Sequence, residues 1–166
     1  MRIKHLEVFV FGVLVLVWLF QMIHYYPLLP ADFGASFHLL GQPADWSSKD
    51  LFFIFYGAVM AVLVAVFLGV RLALPRLPLA LIAVPEKQFW TAPERRRETE
   101  TFLGSHWLWF GCATLNVVIA MVQIGIEAGF GGDEMLGYKV WGIFAVYLAY
   151  TVGWQVWFVR RFRRER

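Results

Sequence analysis

Residues 25–50 read YYPLLPADFGASFHLLGQPADWSSKD, and this stretch decides how the chain is built. It holds three prolines (Pro27, Pro30, Pro43), two glycines (Gly34, Gly41) and three aspartates, and it separates two long apolar runs. Pro27 disfavours a helical Tyr26 and stops the helix that precedes it. At the other end, Ser47 with Asp50 three residues later resembles a capping box with Asp in place of Glu, which starts the next helix. The stretch therefore predicts a compact cap, about residues 26–49, across one end of a helical pair. Gly41-Gln42-Pro43 predicts a turn between two short extended pieces, about 36–39 and 44–46, in the manner of a short β-hairpin.

The apolar run before the cap, about residues 6–25, is close to the roughly 20 residues that cross a bilayer core. Arg2 and Lys4 precede it, but no small-x-small cleavage pattern follows, so it reads as an uncleaved first span. The run after the cap, about 50–74, is stopped by Pro75 and Pro78. In the loop that follows, about 75–100, the short apolar piece 79–84 is expected at the membrane surface or docked on the bundle. Thr91-Ala92-Pro93-Glu94 reads as a helix start with Thr91 as cap, Pro93 in the first turn and Glu94 at the third helical position. That helix begins with a charged turn or two and becomes apolar over about 101–126. A Gly-rich acidic turn, Glu127 to Leu136, leads to a last span over about 137–159 and an arginine-rich tail. The fold class is an all-α integral membrane protein with four transmembrane helices in a single domain, 1–166. A chain that is 60% hydrophobic and 16% charged agrees, since soluble domains carry fewer apolar and more charged residues.

Charge sets the expected orientation. With four spans, thirteen of the fifteen Lys and Arg residues fall on one side, and only Lys49 and Lys139 on the other. The positive-inside rule places both termini and the 75–100 loop in the cytoplasm and the cap outside, in a cell (inner or plasma) membrane. The basic residues flank apolar runs and share no soluble face, which speaks for headgroup contact and against a nucleic-acid partner. Arg95-Arg96-Arg97, set among Glu94, Glu98 and Glu100, reads as a solvated helix face with local salt bridges; anionic-lipid contact is the alternative.

Polar groups inside spans need partners, because lipid offers none. Gln21 and Gln123 fall at similar depth near the outer face, Asn116 near mid-membrane, and His106 and Gln155 near the inner face. Helix–helix hydrogen bonding explains them most simply, and a polar ligand path is the functional alternative. Gly104 and Gly111, one heptad apart, suit a close helix approach. Cys112 is alone in an apolar run and reads as a small buried hydrophobe. No His-x-x-x-His or Cys/His spacing occurs; His24 and His38 with Asp32 or Asp45 could meet outside, but a solvated histidine is the plainer reading, and no metal or cofactor is expected. No nucleophile, phosphate loop or dinucleotide fingerprint is present, so no catalytic residues are assigned.

The cap resembles the bacterial membrane-protein family of domain of unknown function 1648. The family pattern is Tyr-Pro-x-Leu-Pro, then His-Phe, a Gly-x-Pro-Asp-x-Trp run and Ser-Lys before a helix. Tyr26-Pro27-Leu28-Leu29-Pro30 follows it, as do Phe37 and Gly41 through Lys49, with one extra residue before Asp45. The loop from Pro85 to Arg97 is loosely similar. The resemblance implies a ligand-binding or cap-building role for Pro30, Phe37, His38, Gly41, Pro43, Asp45, Trp46, Ser47 and Lys49. Ser36 stands where relatives carry His, and His38 stands one position past the Phe, so a role of that histidine in relatives would be lost or relocated here. Relatives include the SDP-toxin immunity protein, which also signals by holding a repressor at the membrane. The resemblance thus implies a non-enzymatic protein that senses or blocks an extracytoplasmic peptide or protein. The other expectation is a small integral subunit or permease-like module, with a membrane-protein partner or a second copy in addition to the lipid bilayer.

Overall fold

The computed structural model describes residues 6–31, 48–78, 84, 87–90, 92–131 and 136–163. Its helices are α1 (Leu6–Tyr25), α2 (Lys49–Ala73), the four-residue α3 (Lys87–Trp90), α4 (Pro93–Gly131) and α5 (Leu136–Arg163). A single 3-10 turn, Leu74–Arg76, closes α2. Among the described residues there is no strand, and the expected hairpin falls at residues outside them. Four of the helices are long and apolar enough to cross a membrane. The chain is a multi-pass membrane protein.

The helices pack through stripes that recur at alternating three- and four-residue steps. On α1 the stripe is Glu7, Phe11, Leu14, Trp18 and Gln21; on α2 it is Phe53, Tyr56, Met60, Leu63 and Phe67. The α4 stripe of Leu108, Cys112, Leu115, Ile119, Val122 and Ile126 meets both. The rest of α1 and α2 is bare apolar surface, as a lipid-facing helix requires. α1 runs parallel to α4 and antiparallel to α2, because Gln21 meets both Gln123 and Tyr56 while Glu7 meets Arg71. α5 runs antiparallel to α4, joined at Thr114–Tyr147 and His106–Trp154. α4 is the hub: α1, α2 and α5 all pack on it, and among the described residues α5 touches neither α1 nor α2.

Several helix boundaries differ from the sequence reading. Ser48, with extended backbone, is the cap of α2 and accepts the Leu51 N–H at 3.3 Å, so Asp50 falls in the first turn and is free to bond Tyr26. The capping box expected from Ser47 is thus one residue out of register. The first N–H groups of α4 bond to Ala92 O, which puts Pro93 at the first helical position and Glu94 at the second, a frame one residue later than that drawn from Thr91. α4 continues to Gly131 and α5 to Arg163, past the expected ends near 126 and 159. Composition marks where the apolar part ends, whereas a helix continues until its backbone is capped or broken. At 39 residues, α4 is about 58 Å long and overhangs a hydrocarbon core of about 30 Å.

Gly111 sets the closest approach. A Cβ there would sit 2.7 Å from Cγ of Phe67 and 3.2 Å from Cε2 of Phe11, so α1 and α2 both close on α4 at this point. Ring Cγ atoms cannot swing aside without moving the side chain or its backbone. Gly104, where a Cβ would lie 3.8 Å from Arg71 Cγ, has ordinary room. Gly111→Ala should cost about 1–3 kcal/mol in reversible unfolding in detergent or mixed micelles. Gly69→Ala, with nothing within 4 Å, should be neutral or mildly stabilising in the same assay.

Candidate functional site

The end of the bundle where α1 ends and α2 begins is tied by polar contacts between residues 26–31 and the start of α2. Tyr26 OH donates to Asp50 Oδ1 at 2.7 Å, Lys49 Nζ donates to Leu29 O at 3.2 Å, and Lys49 N donates to Ala31 O at 3.2 Å. Lys49 also lies over the Tyr26 ring, 4.8 Å from its centroid. Leu29 is buried against Phe53 and Ile126. The hydrogen bond to Asp50, reinforced by the carboxylate's charge, raises the Tyr26 phenol above its ordinary value of 10.0. The neutral phenol is favoured, so this tie is complete below that value and is lost as pH rises through the elevated one. Pro30 is exposed at the start of the loop. Phe37, His38, Gly41, Pro43, Asp45, Trp46 and Ser47 lie outside the described residues. His24 is exposed and stacks on Phe20 at 5.1 Å. Among the described residues no three His, Cys, Asp or Glu side chains form a metal-binding group.

Just below the cap, Gln21 and Gln123 meet directly. Gln21 Nε2 donates to Gln123 Oε1 at 2.9 Å and to Ile119 O at 3.4 Å, and Gln21 Oε1 accepts Tyr56 OH at 2.7 Å. Gln123 Nε2 donates to Tyr25 OH at 3.0 Å and to Glu127 Oε1 at 2.9 Å. Both amides have both N–H groups and an oxygen engaged, so this network is structurally satisfied and offers nothing to a ligand.

His106 faces α5 inside an aromatic box. Its ring stacks on Trp154 at 4.3 Å and 7°, with Phe102 and Phe158 each at 5.4 Å. Nε2 is buried without a hydrogen-bond partner among the described residues. Gln155 is exposed on the opposite side of α5, so the two residues share a level without sharing an environment. Trp90 Nε1 donates to Phe162 O at 3.1 Å, satisfying a carbonyl at the end of α5, and Val84 is buried against Phe162. The short apolar piece of the 75–100 loop therefore docks on the bundle at its last residue.

Asn116 differs from the other intramembrane polar residues in its position, in the floor of a groove near the middle of α4. It lies exposed near the middle of α4 and has no hydrogen-bond partner among the described residues. Because α1 and α5 flank α4 without touching, a lateral groove of about 800 Å³ runs between them. Asn116 lies in its floor beside Ala113, Val117 and Ala120, with Val10 and Leu14 of α1 on one wall and Gly142, Val146 and Tyr150 of α5 on the other. Tyr147 also lines it, but its hydroxyl is held by Thr114 at 2.8 Å. The groove is apolar with small residues in its floor and one unengaged amide at mid-depth.

Sequence reading missed the pair formed by Glu7 and Arg71. Nη1 and Nη2 of Arg71 both reach Glu7 Oε1 at 3.2 Å, Nη1 also reaches Gly104 O at 3.4 Å, and Cys112 Sγ donates to Glu7 O at 3.8 Å. The available signal was an acidic residue in the first turn of one apolar run and a basic one near the end of the next.

No protein-family model matches this chain, and neither a curated protein nor a solved structure matches it.

The two amides at different depths make opposite predictions. Gln21→Leu leaves the Tyr56 hydroxyl without its acceptor and Gln123 Oε1 without its donor and should lower stability by about 0.6–2 kcal/mol. Asn116→Leu removes no contact within the chain and should leave unfolding in detergent unchanged within roughly 0.5 kcal/mol.

Proposed function

We propose that this protein is a non-enzymatic integral membrane component whose working surface is the lateral groove, which receives a membrane-spanning helix of a partner protein. The observation that carries this reading is Asn116: an unengaged amide at mid-membrane depth costs free energy in lipid and is satisfied by a polar side chain from another helix. Acyl chains would fill the groove but leave the amide unpaired. The small floor residues Ala113 and Ala120, with Gly142 on the wall, let a helix backbone approach closely. The distribution of Lys and Arg supports a cell-membrane location with the groove's lower end and both termini on the cytoplasmic side.

A photo-reactive residue at Val117, in the groove, should give a discrete adduct with one other membrane protein in the organism's own membranes. The same residue at Val62, on the exposed face of α2, should not. Asn116→Leu should abolish the Val117 adduct while the chain accumulates normally. Adducts with lipid alone, with a second copy, or equally at both positions would refute the reading.

A second reading rests on the tied loop ends at Tyr26–Asp50 and Lys49–Ala31, which hold the cap's two ends together. With the family resemblance, they favour a cap that engages an extracytoplasmic peptide and gives the cell immunity to it. Asp45→Ala and Trp46→Ala should each abolish protection against a secreted killing peptide at unchanged membrane levels; variants that protect like the parent would end this reading.

A further inference from the structure

At the basic end of the bundle, the first turn of α1, the last turn of α2 and the first turns of α4 enclose a second cavity, of about 640 Å³. Its lining differs from that of the groove. Three guanidinium groups, Arg71, Arg96 and Arg97, and two carboxylates, Glu7 and Glu100, face it above an apolar floor that includes Leu74 and Pro75. Two of the arginines are already paired. Arg71 holds Glu7, and Arg96 Nε holds Glu100 Oε1 at 2.7 Å one helical turn on. The first arginine of the 95–97 run, Arg95, lies over the Phe89 ring at 3.8 Å. Arg97 is exposed on the cavity, and no carboxylate pairs with it among the described residues. The Nη groups of Arg96 likewise have no protein acceptor there.

The cavity therefore carries one positive charge in excess, displayed by guanidinium N–H groups that the protein does not use. Guanidinium groups recognise phosphate through paired, charge-assisted hydrogen bonds. Leu74 and Pro75 follow the end of α2 and Pro93 opens α4, so the cavity sits where these spans end, and an anionic group held by Arg96 and Arg97 lies at the level of the lipid headgroups. We propose that this cavity binds the phosphate of an anionic phospholipid from the adjoining leaflet, with Arg97 and the free edge of Arg96 as phosphate ligands. Arg71 is a positioning residue: locked between Glu7 and the Gly104 carbonyl, it holds α1, α2 and α4 at the spacing that keeps the cavity open.

The test uses the full chain in detergent, stripped of lipid and titrated separately with phosphatidylglycerol, phosphatidylcholine and inorganic phosphate, with bound molecules counted by native mass spectrometry. One phosphatidylglycerol should be retained in preference to phosphatidylcholine. Arg97→Gln, which removes no side-chain hydrogen bond or ion pair among the described residues, should weaken that binding by roughly tenfold, the value of one charge-assisted hydrogen bond. Arg160→Gln, an equal loss of charge on the α5 tail, should change it by less than about twofold, since a screened surface charge contributes little. Equal binding of the two lipids, or equal weakening by the two variants, would show a diffuse basic surface and overturn the proposal. Displacement of the lipid by inorganic phosphate at millimolar concentration would assign the cavity to a free anion and overturn the lipid source.

Discussion

Hydrocarbon supplies no hydrogen bonds, and the arrangement of this protein follows from that constraint. A polar side chain placed between apolar helices is either satisfied by protein or paid for in stability. Gln21, Tyr56 and Gln123 satisfy one another across three helices, and Gln123 passes the chain on to Tyr25 and Glu127. At the far end of the same helices, Glu7 and Arg71 do so as an ion pair that also takes up a backbone carbonyl. Two polar clamps at opposite ends, with the close approach at Gly111 between them, fix both the registers and the spacing of α1, α2 and α4. Slipping any one helix by a residue would strand an amide or a charge, at a cost well above that of the apolar contacts it would exchange.

α5 is held differently. In a membrane, apolar side chains gain little by leaving lipid for one another, so helix association relies on packing and on hydrogen bonds. α5 joins α4 through the aromatic box around His106, the Thr114–Tyr147 hydrogen bond and the Trp90 contact at its end, and it has no contact with α1 or α2 among the described residues. A fourth span packed on the hub and on neither of the other two spans leaves a groove on at least one side of the hub. The groove is thus a consequence of topology and of where the polar and aromatic contacts lie. Asn116 places an amide without a hydrogen-bond partner among the described residues in its floor, which apolar lipid does not satisfy.

The four helices were legible in the sequence because spanning runs of about 20 apolar residues are hard to read otherwise. The equal depth of Gln21 and Gln123 followed from counting along each span, and their hydrogen bond bears out that count. What counting could not give was azimuth. His106 and Gln155 lie at one level, yet His106 packs in the aromatic box while Gln155 is exposed, because depth along a span does not say which way round the helix a side chain points. For the same reason Asn116 could be assigned a depth but not a groove. The Ser47 frame is one residue early because Ser48 beside it is equally able to cap, whereas the Thr91 frame is one residue early because the helix begins at Pro93, a favoured first helical residue, with Ala92 before it. The pairing of Glu7 with Arg71 joins residues 64 positions apart, and charges at both ends of spans first read as topology signals. The cap residues Phe37, His38, Asp45 and Trp46 lie outside the described residues, so their part in the site rests on the loop's tied ends and on the resemblance.

A hydrogen bond at Asn116 would add about 0.6–2 kcal/mol to helix association. Its value lies elsewhere. A single polar residue in an apolar helix interface fixes register, because every misaligned partner leaves the amide unsatisfied while the matched one does not. The groove walls on either side of Asn116 are smooth and apolar, with Val10 and Leu14 facing Val146 and Gly142, and by themselves they would accept a helix at many depths. The amide selects one of them. The partner helix then carries a polar side chain at the depth of Asn116, near the middle of an otherwise apolar span, and small residues where it crosses Ala113 and Ala120.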